Sequence, residues 1–142
     1  VLIDGVGVTD EIRSPEVTEA ASRVSVHPGV REAMVTEQRR LISAGRDVAE
    51  GRDIGTVVSP DSPLKVFLTA SEEVRAERRA GQTGGDAAEI LLSQRERDRR
   101  DTEREHGALK VADDAVEIDT SGLSLDEVVE KIAALARERD LT

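Results

Sequence analysis

The apolar residues of the chain follow two different spacings. In residues 30–44 they recur at roughly helical spacing, whereas residues 64–68 and 116–119 are short, largely apolar runs typical of strands. Ser14 followed by a proline supplies an N-cap and a favourable first helical position, so a helix is predicted from there to about Val24. The pattern therefore predicts a mixture of helices and short strands.

The N-terminal third is predicted to be mostly helical. Residues 1–4 have the pattern of a short strand that leads into a glycine turn. Pro28 and Gly29 interrupt the chain before the predicted helix at 30–44. The next strand is expected only at 48–49.

The C-terminal part alternates between strand and helix. A helix capped by Ser71 follows the 64–68 strand, and a glycine-rich break at 81–85 separates it from a long charged helix at about 86–105. After the 116–119 strand, a capping box that starts at Ser124 opens a helix over 128–137. Alternation of this kind predicts the α/β class, with a parallel sheet covered by helices.

Composition limits the chemistry that the chain can perform. At 142 residues one compact unit is expected, and with one Phe, no Tyr and no Trp its core must be built from aliphatic residues. The absence of Cys excludes disulfides and thiol catalysis, and two His make an imidazole metal site unpromising, so no protein metal site is expected. No apolar run is long enough to span a membrane and no signal peptide is recognisable, which favours a cytoplasmic location.

The charge of the chain argues for a small ligand. A formal net charge of -10 would repel nucleic acid, so neither DNA nor RNA is expected as a partner. The basic residues are nearly all Arg, which binds phosphate through a planar fork. A GC-rich genome would raise the Arg content as well, so the positions of individual arginines carry more information than their number.

An Arg-Asp pair between two glycines is the most informative local feature. In Gly51-Arg52-Asp53-Ile54-Gly55 the glycines allow the backbone to approach a ligand closely. The Arg52 guanidinium suits phosphate, and the Asp53 carboxylate suits amino or hydroxyl donors. An ordinary turn at the end of a strand would explain the same residues, and the residues alone leave both interpretations open.

The wider segment around this pair resembles the bacterial cytidylate kinase family. That family carries Gly-Arg-Asp-x-Gly-Thr-Val-Val followed by Pro-Asp and an apolar strand, and the chain has this pattern at 51–68. Further similar segments are Glu11-Ile12-Arg13, Ala20-Ala21-Ser22-Arg23-Val24, Val30-Arg31-Glu32-Ala33 and Arg97-Asp98-x-x-Asp101-x-x-Arg104. Since several motifs occur in the order and at the spacing of the family, nearly the whole chain is identified as similar to it.

The resemblance implies a P-loop kinase-like fold, a three-layer αβα arrangement with a parallel sheet, of which the chain is a part. Residues 1–45 would be the C-terminal part of the insert that binds the nucleoside monophosphate. Residues 46–142 would be the core, with a lid at about 80–95. The family's glycine-rich phosphate loop ending in Gly-Lys-[Ser/Thr] does not occur in the sequence, because the glycines at 81–85 have no Lys beside them. We therefore expect the C-terminal two-thirds or so of such a kinase, either a fragment or the ordered part of a longer chain.

The implied activity is transfer of the γ-phosphoryl group of ATP to CMP or dCMP, with Mg²⁺ bound by ATP rather than by this chain. The expected partners are these small molecules, with no nucleic acid and no membrane, and the protein is expected to be a monomer. Without the phosphate loop the chain alone is expected to be inactive. A non-catalytic nucleotide-binding remnant that keeps the acceptor pocket remains the alternative.

The resemblance also implies roles for individual residues. Ser22, Arg31 and Asp53 match positions that read the cytosine edge, where Asp53 would accept from the amino group and the other two would donate to the ring acceptors. Arg52 is also expected to bind substrate, because its planar guanidinium suits phosphate.

Two groups of arginines on the C-terminal helices complete the expected site. Arg97, Asp101 and Arg104 share one helix face by their spacing, which a solvated ladder of charges would also produce. The resemblance associates Arg97 and Asp101 with the ribose side of the acceptor and Arg104 with its phosphate, so that Arg97 and Arg104 are the expected catalytic arginines. Arg78 and Arg79 precede the lid, where one of them would contact the ATP base or its phosphates. Arg75, Arg78 and Arg79 could equally form a solvated face.

Overall fold

The computed structural model describes residues 1–42, 47–103 and 109–141 of the chain. The chain folds as two compact units, Val1–Leu41 and Ile42–Thr142, so the expectation of one compact unit is wrong. No helix within the described ranges is both long and apolar enough to cross a membrane. The expected assignment of 1–45 to an insert and 46–142 to a core with a lid stays a prediction.

The first unit begins with a small hairpin. Strands β1 (Leu2–Ile3) and β2 (Val6–Gly7) pair antiparallel, and the turn between them has positive φ angles of 50° at Asp4 and 81° at Gly5. An Asp-Gly pair favours this turn because both residues tolerate the left-handed region. The strand predicted at 1–4 is therefore present, but its partner strand was not predicted.

Two helices complete the first unit. Helix α1 spans Pro15–Val24 as predicted, and the Ser14 hydroxyl accepts a hydrogen bond of 3.3 Å from the Val17 amide. Helix α2 spans Pro28–Ile42, so it begins earlier than the predicted residue 30. A proline at the first helical position loses no backbone hydrogen bond, which explains why Pro28 starts the helix instead of preceding it. The predicted end at residue 44 lies outside the described residues.

Residues 47–53 of the second unit form neither helix nor strand. The strand predicted at 48–49 is wrong, because these residues pair with no strand among those described and Val48 is fully exposed. A short extended segment is stable as a strand only when a neighbour satisfies its backbone groups.

The Arg-Asp motif is followed by a single π-helical turn, Ile54–Val58. The Asp53 carbonyl accepts a 2.9 Å hydrogen bond from the Val57 amide, and the Ser59 amide donates to the Ile54 carbonyl at 2.7 Å. Gly51 is required by this packing, since a Cβ at that position would lie 2.7 Å from Ile54 Cγ1. The motif is thus folded tightly onto the turn that follows it.

Two parallel strands and three helices follow in the described part of the second unit. Strands β3 (Val66–Thr69) and β4 (Val116–Asp119) pair in parallel, with Val66 opposite Val116. The helices are α3, α4 and α5, spanning Glu72–Thr83, Ala87–Glu103 and Leu125–Glu138. Parallel strands joined through helices confirm the predicted α/β class.

The helix ends follow local signals. The Ser71 hydroxyl accepts from the Val74 amide at 3.2 Å, and Ser124 and Glu127 form the predicted capping box, so that α5 begins before the predicted residue 128. Helix α3 runs further into the glycine-rich break than predicted and ends at Thr83, where Gly84 forms the C-cap with a φ of 72°. Helices α3 and α4 then pack against each other.

The buried residues are a small aliphatic set and an unusual polar set. Val58 and Ala76 are the buried apolar residues of the second unit among those described, whereas its buried polar residues are Asp53, Lys65, Asp101 and Thr120. A buried polar side chain is costly unless it is paired or hydrogen-bonded. The polar residues of this unit are therefore the natural place to look for a functional site.

Candidate functional site

Arg52 joins the glycine-flanked motif to helix α4. Its Nη2 donates to Asp98 Oδ1, and its Nε forms an ion pair with Asp101 Oδ2. The side chain of Asp101 is 1% exposed, so its charge is removed from water and compensated by arginine. The backbone of Asp101 is also engaged, because its carbonyl accepts from the Leu109 amide at 2.9 Å.

Asp98 bridges two arginines from different elements. Its Oδ1 accepts from Arg52, and its Oδ2 lies 2.5 Å from Nη1 of Arg75 on helix α3. Partial burial alone would raise the pKa of Asp98, but the hydrogen bonds from Arg75 and then from Arg52 outweigh it and hold the pKa below its ordinary value. Asp98 is therefore an anion that links the motif loop to helix α3.

Arg97 lies one helical turn before Asp101. Its Nε is 3.7 Å from Asp101 Oδ2, and half of its side chain is exposed. The predicted shared face of Arg97 and Asp101 is thus present. Arg104, the third member of that face, lies outside the described residues.

A depression of about 320 Å³ opens beside these ion pairs. Its lining consists of charged and amide side chains from the motif loop, α3 and α4: Arg52, Arg75, Arg78, Arg79, Gln82, Gln94, Arg97 and Asp98. Its volume lies at the lower end of the range of small-molecule sites. With five arginines and one aspartate in its wall, the depression is suited to a ligand with several negative charges.

Arg78 and Arg79 differ sharply in their surroundings. Arg78 donates to Thr120 Oγ1 at 3.0 Å, to the Thr120 carbonyl at 2.6 Å and to the Leu123 carbonyl at 3.1 Å. Thr120 is itself buried and donates through Oγ1 to the Thr69 carbonyl at 2.8 Å. Arg78 therefore links α3 by hydrogen bonds to the loop that follows β4.

Arg79, by contrast, remains available to a ligand. Within the described part of the chain its guanidinium makes a long hydrogen bond of 3.5 Å from Nη1 to Gln82 Oε1, and the residue is exposed. Of the two arginines that precede the predicted lid, Arg79 is the one whose guanidinium can turn toward a ligand at little cost.

The residues predicted to read the base fall in both units. Asp53 is buried, with 7% of its surface exposed, directly after Arg52 in the second unit. Ser22 on α1 and Arg31 on α2 lie in the first unit and are half-buried. The Ser22 hydroxyl oxygen is buried and has no hydrogen-bond partner in the described part of the chain. Their grouping around a base stays a prediction.

Two members of the site were not predicted as such: Arg75 and Asp98. The sequence contained partial signals, because Asp98 falls inside the Arg97-Asp98-x-x-Asp101 motif and Arg75 lies three positions before Arg78 on the same helix face. Their ion pair depends on the packing of α3 against α4, which no local pattern reports.

The carboxylates at this site do not suit a metal ion. Asp98 has each oxygen engaged by an arginine, and no group of three His, Cys, Asp or Glu side chains that could hold a metal occurs in the ranges that the structure describes. A magnesium ion needs carboxylate oxygens that are free to coordinate it. Both oxygens of Asp98 are therefore occupied by arginine and are not free to coordinate Mg²⁺ directly.

Comparison with known proteins gives a consistent result over nearly the whole chain. A family model described as cytidylate kinase matches residues 1–138. The chain is 48% identical over 145 residues to a cytidylate kinase of Rhodococcus opacus (strain B4), an alignment that covers 98% of this chain and 63% of that protein. It is 47% identical to a cytidylate kinase of Geobacillus sp. (strain WCH70), covering 98% of this chain and 64% of the relative.

A third relative has a second activity in its name. The bifunctional pantoate ligase/cytidylate kinase of Synechococcus sp. (strain CC9902) is 46% identical over an alignment that covers 98% of this chain and 30% of that protein. The chain spans 63–64% of the length of the monofunctional relatives described above. On the match of the family model and these identities, the chain belongs to the cytidylate kinase family, whose members have the P-loop kinase fold.

Proposed function

We propose that the protein containing this chain is a cytidylate kinase, which transfers the γ-phosphoryl group of ATP to CMP or dCMP and releases the corresponding diphosphate. The observation that carries the proposal is the arginine-lined depression, whose five guanidiniums are partly neutralised by Asp98. Membership of the cytidylate kinase family supports the same reaction.

The chemistry of the depression suits phosphoryl transfer. Such reactions depend mainly on positioning of the two substrates and on stabilisation of charge on the transferred group. The acceptor is a phosphate oxygen that is already anionic, so the protein need not supply a nucleophile or a general base. Arginines that are held in place by carboxylates meet both requirements, because their forks bind phosphate oxygens in a fixed geometry.

We divide the arginines between the two substrates as follows. Arg52 binds the acceptor phosphate, and Arg97 with Asp101 contacts the ribose side of the acceptor. Arg79 contacts ATP phosphates or base, while Arg78 supports that surface through its hydrogen bonds to Thr120. Arg104 completes the phosphate contacts in this proposal.

Selection of cytosine is assigned to Ser22, Arg31 and Asp53. The Asp53 carboxylate accepts from the cytosine amino group, and Ser22 and Arg31 donate to the ring nitrogen and carbonyl side. Uracil presents a carbonyl where cytosine has its amino group. A buried acceptor facing another acceptor is unfavourable, so uracil should be disfavoured by a few kcal/mol.

Magnesium is proposed to be bound by ATP oxygens, since the carboxylates at the depression are already paired with arginine. The monomeric state, the cytoplasmic location and the absence of nucleic-acid or membrane partners stay predictions from the sequence.

The test is a phosphoryl-transfer assay on the protein expressed from its complete coding sequence, with ATP and CMP, dCMP, UMP or AMP as acceptor. We expect ³¹P NMR to show formation of CDP and dCDP at rates well above those for UDP and ADP. Arg52→Gln should reduce turnover strongly. Arg99→Gln is the matched control, because Arg99 has the same charge and lies on α4 but pairs with the exposed Glu103.

A protein that binds CMP but yields no CDP under these conditions would instead be a non-catalytic nucleotide-binding protein. The isolated 142-residue chain is proposed to be inactive on its own, since it lacks a Gly-Lys-[Ser/Thr] phosphate loop. Steady CDP formation by that chain, free of contaminating kinase, would place the ATP site elsewhere than we propose.

A further inference from the structure

We propose that Asp98 is a positioning residue that holds Arg52 and Arg75 in the orientation in which they receive a phosphate group. This inference rests on the proposed kinase function and extends it to two residues, Asp98 and Arg75, that were not predicted to belong to the site. The geometry points to it because one carboxylate accepts from two arginines of different elements, one on each oxygen.

The Arg52–Asp98–Arg75 bridge lies at the candidate ligand site. Arg52, Arg75 and Asp98 all line the depression of about 320 Å³. The side chains of Arg52 and Arg75 are 32% and 34% exposed, so each retains surface that faces solvent and can meet a ligand. Asp98 itself is less exposed, at 26%, and lies between them.

Electrostatics explain why such a residue is needed. Arg52 and Arg75 carry like charges and would move apart in an empty site unless a carboxylate lay between them. With Asp98 in place, both forks are oriented before the ligand arrives, so no reorganisation is required when negative charge develops on the transferred group. A bridge of this kind should therefore affect turnover more than binding of the ground state.

A second interhelical ion pair provides an internal control. Arg95 on α4 lies 2.6 Å from Glu72 on α3, and so joins the same two helices as the Arg75–Asp98 pair. Neither Arg95 nor Glu72 lines the depression. If Asp98 served only to attach α3 to α4, loss of Glu72 should have the same consequences as loss of Asp98.

The experiment compares Asp98→Asn, Asp98→Glu and Glu72→Gln in the protein expressed from its complete coding sequence. For Asp98→Asn we expect kcat with CMP to fall about tenfold or more while the KM values for CMP and ATP change less than about threefold. Asp98→Glu keeps the charge and should recover part of kcat. Glu72→Gln should leave kcat and both KM values unchanged.

Several outcomes would overturn the proposal. An unchanged kcat in Asp98→Asn would overturn it. An equal loss of kcat in Asp98→Asn and in Glu72→Gln would also overturn it. Either result would indicate that the Arg75–Asp98 pair is purely structural. If Asp98→Asn does not fold by circular dichroism, Arg75→Lys decides, since it retains the charge but loses the planar fork. It should lower kcat several-fold, and normal turnover would refute the role of the bridge. A wild-type protein without CMP kinase activity would refute the proposed function instead, so the two failures are distinguishable.

Discussion

Arg52 and Asp101 form an ion pair whose two members differ in exposure: the Asp101 side chain is 1% exposed, whereas that of Arg52 is 32% exposed. The carboxylate therefore contacts the guanidinium from its buried side, and the guanidinium reaches the surface of the arginine-lined depression. A buried charge is tolerated only with such a partner, and the guanidinium of Arg52 is held through Nε by Asp101 and through Nη2 by Asp98.

Loss of the Asp101 charge should affect both stability and the ribose side of the site. Asp101→Asn should lower the free energy of unfolding by about 2 kcal/mol, less than for a fully buried pair, because Arg52 stays in contact with water. In kinetic assays the KM for CMP should rise more than that for dCMP, which lacks one ribose hydroxyl. Urea unfolding and steady-state kinetics measure the two effects.

Glu103→Gln is the matched control for Asp101→Asn. Glu103 is also on α4 and also pairs with an arginine, but both partners of that pair are 63% exposed. Such surface pairs contribute little to stability, so Glu103→Gln should change the free energy of unfolding by less than about 0.5 kcal/mol. Equal effects of the two substitutions would mean that burial of Asp101 has no energetic consequence.

Asp98 should make folding stability depend on acid pH. Burial opposes its ionisation, but the hydrogen bonds from Arg75 and Arg52 hold its pKa in the folded protein below the unfolded value of about 3.9. The stabilisation is then fully present above the unfolded pKa and is lost as the pH falls through the folded pKa.

The measurement for Asp98 is urea unfolding from about pH 6 to pH 3, with the wild type compared with Asp98→Asn. Above about pH 5 the wild type should be more stable, and the difference should shrink as the pH falls below about 4. A difference that stays constant across the whole range would show that the carboxylate charge of Asp98 does not contribute.

Substitutions of Arg78 and Arg79 should distinguish a residue that stabilises the site from one that contacts the ligand. Arg78→Met loses three hydrogen bonds around Thr120, two of them to backbone carbonyls, and should lower the free energy of unfolding by about 1–2 kcal/mol. Arg79→Met should leave stability within about 0.5 kcal/mol and raise the KM for ATP. Thermal unfolding measures the change in stability, and initial rates at varied ATP concentration give the KM for ATP. A loss of stability in Arg79→Met together with a raised KM for ATP in Arg78→Met alone would contradict the proposed roles.

Asp53 and Arg31 should control recognition of the acceptor base. Asp53→Ala and Arg31→Met should each weaken CMP binding far more than ATP binding, because the edge of cytosine would lose an acceptor or a donor. Isothermal titration with CMP and ATP provides the comparison. Asp61→Ala, at an exposed position in the same part of the chain, should leave both affinities unchanged. Normal CMP binding by both site variants would show that the base is read elsewhere.

The serine caps of three helices were the most predictable part of the fold. Ser14, Ser71 and Ser124 all accept hydrogen bonds from amides of the helices that they precede, as their sequence context predicts. The signal is local, since the cap and its acceptor or donor are only a few residues apart. The strand predicted at 48–49 failed for the opposite reason: a strand needs a distant partner, and an apolar pair of residues does not report whether one is present.

The α/β class, the family and the positions of the charged motifs can be inferred from the sequence alone, because capping residues, strand runs and motif spacing are short-range properties of the chain. Which charged side chains contact each other is visible only in the folded chain. Asp98 pairs with Arg75 across 23 positions and with Arg52 across 46 positions, and Arg78 meets Thr120 across 42. These contacts follow from the packing of α3 on α4 and from the parallel pairing of β3 with β4. Packing of this kind brings together residues that no local pattern relates, and it makes Asp98 the bridge between two of the site's arginines.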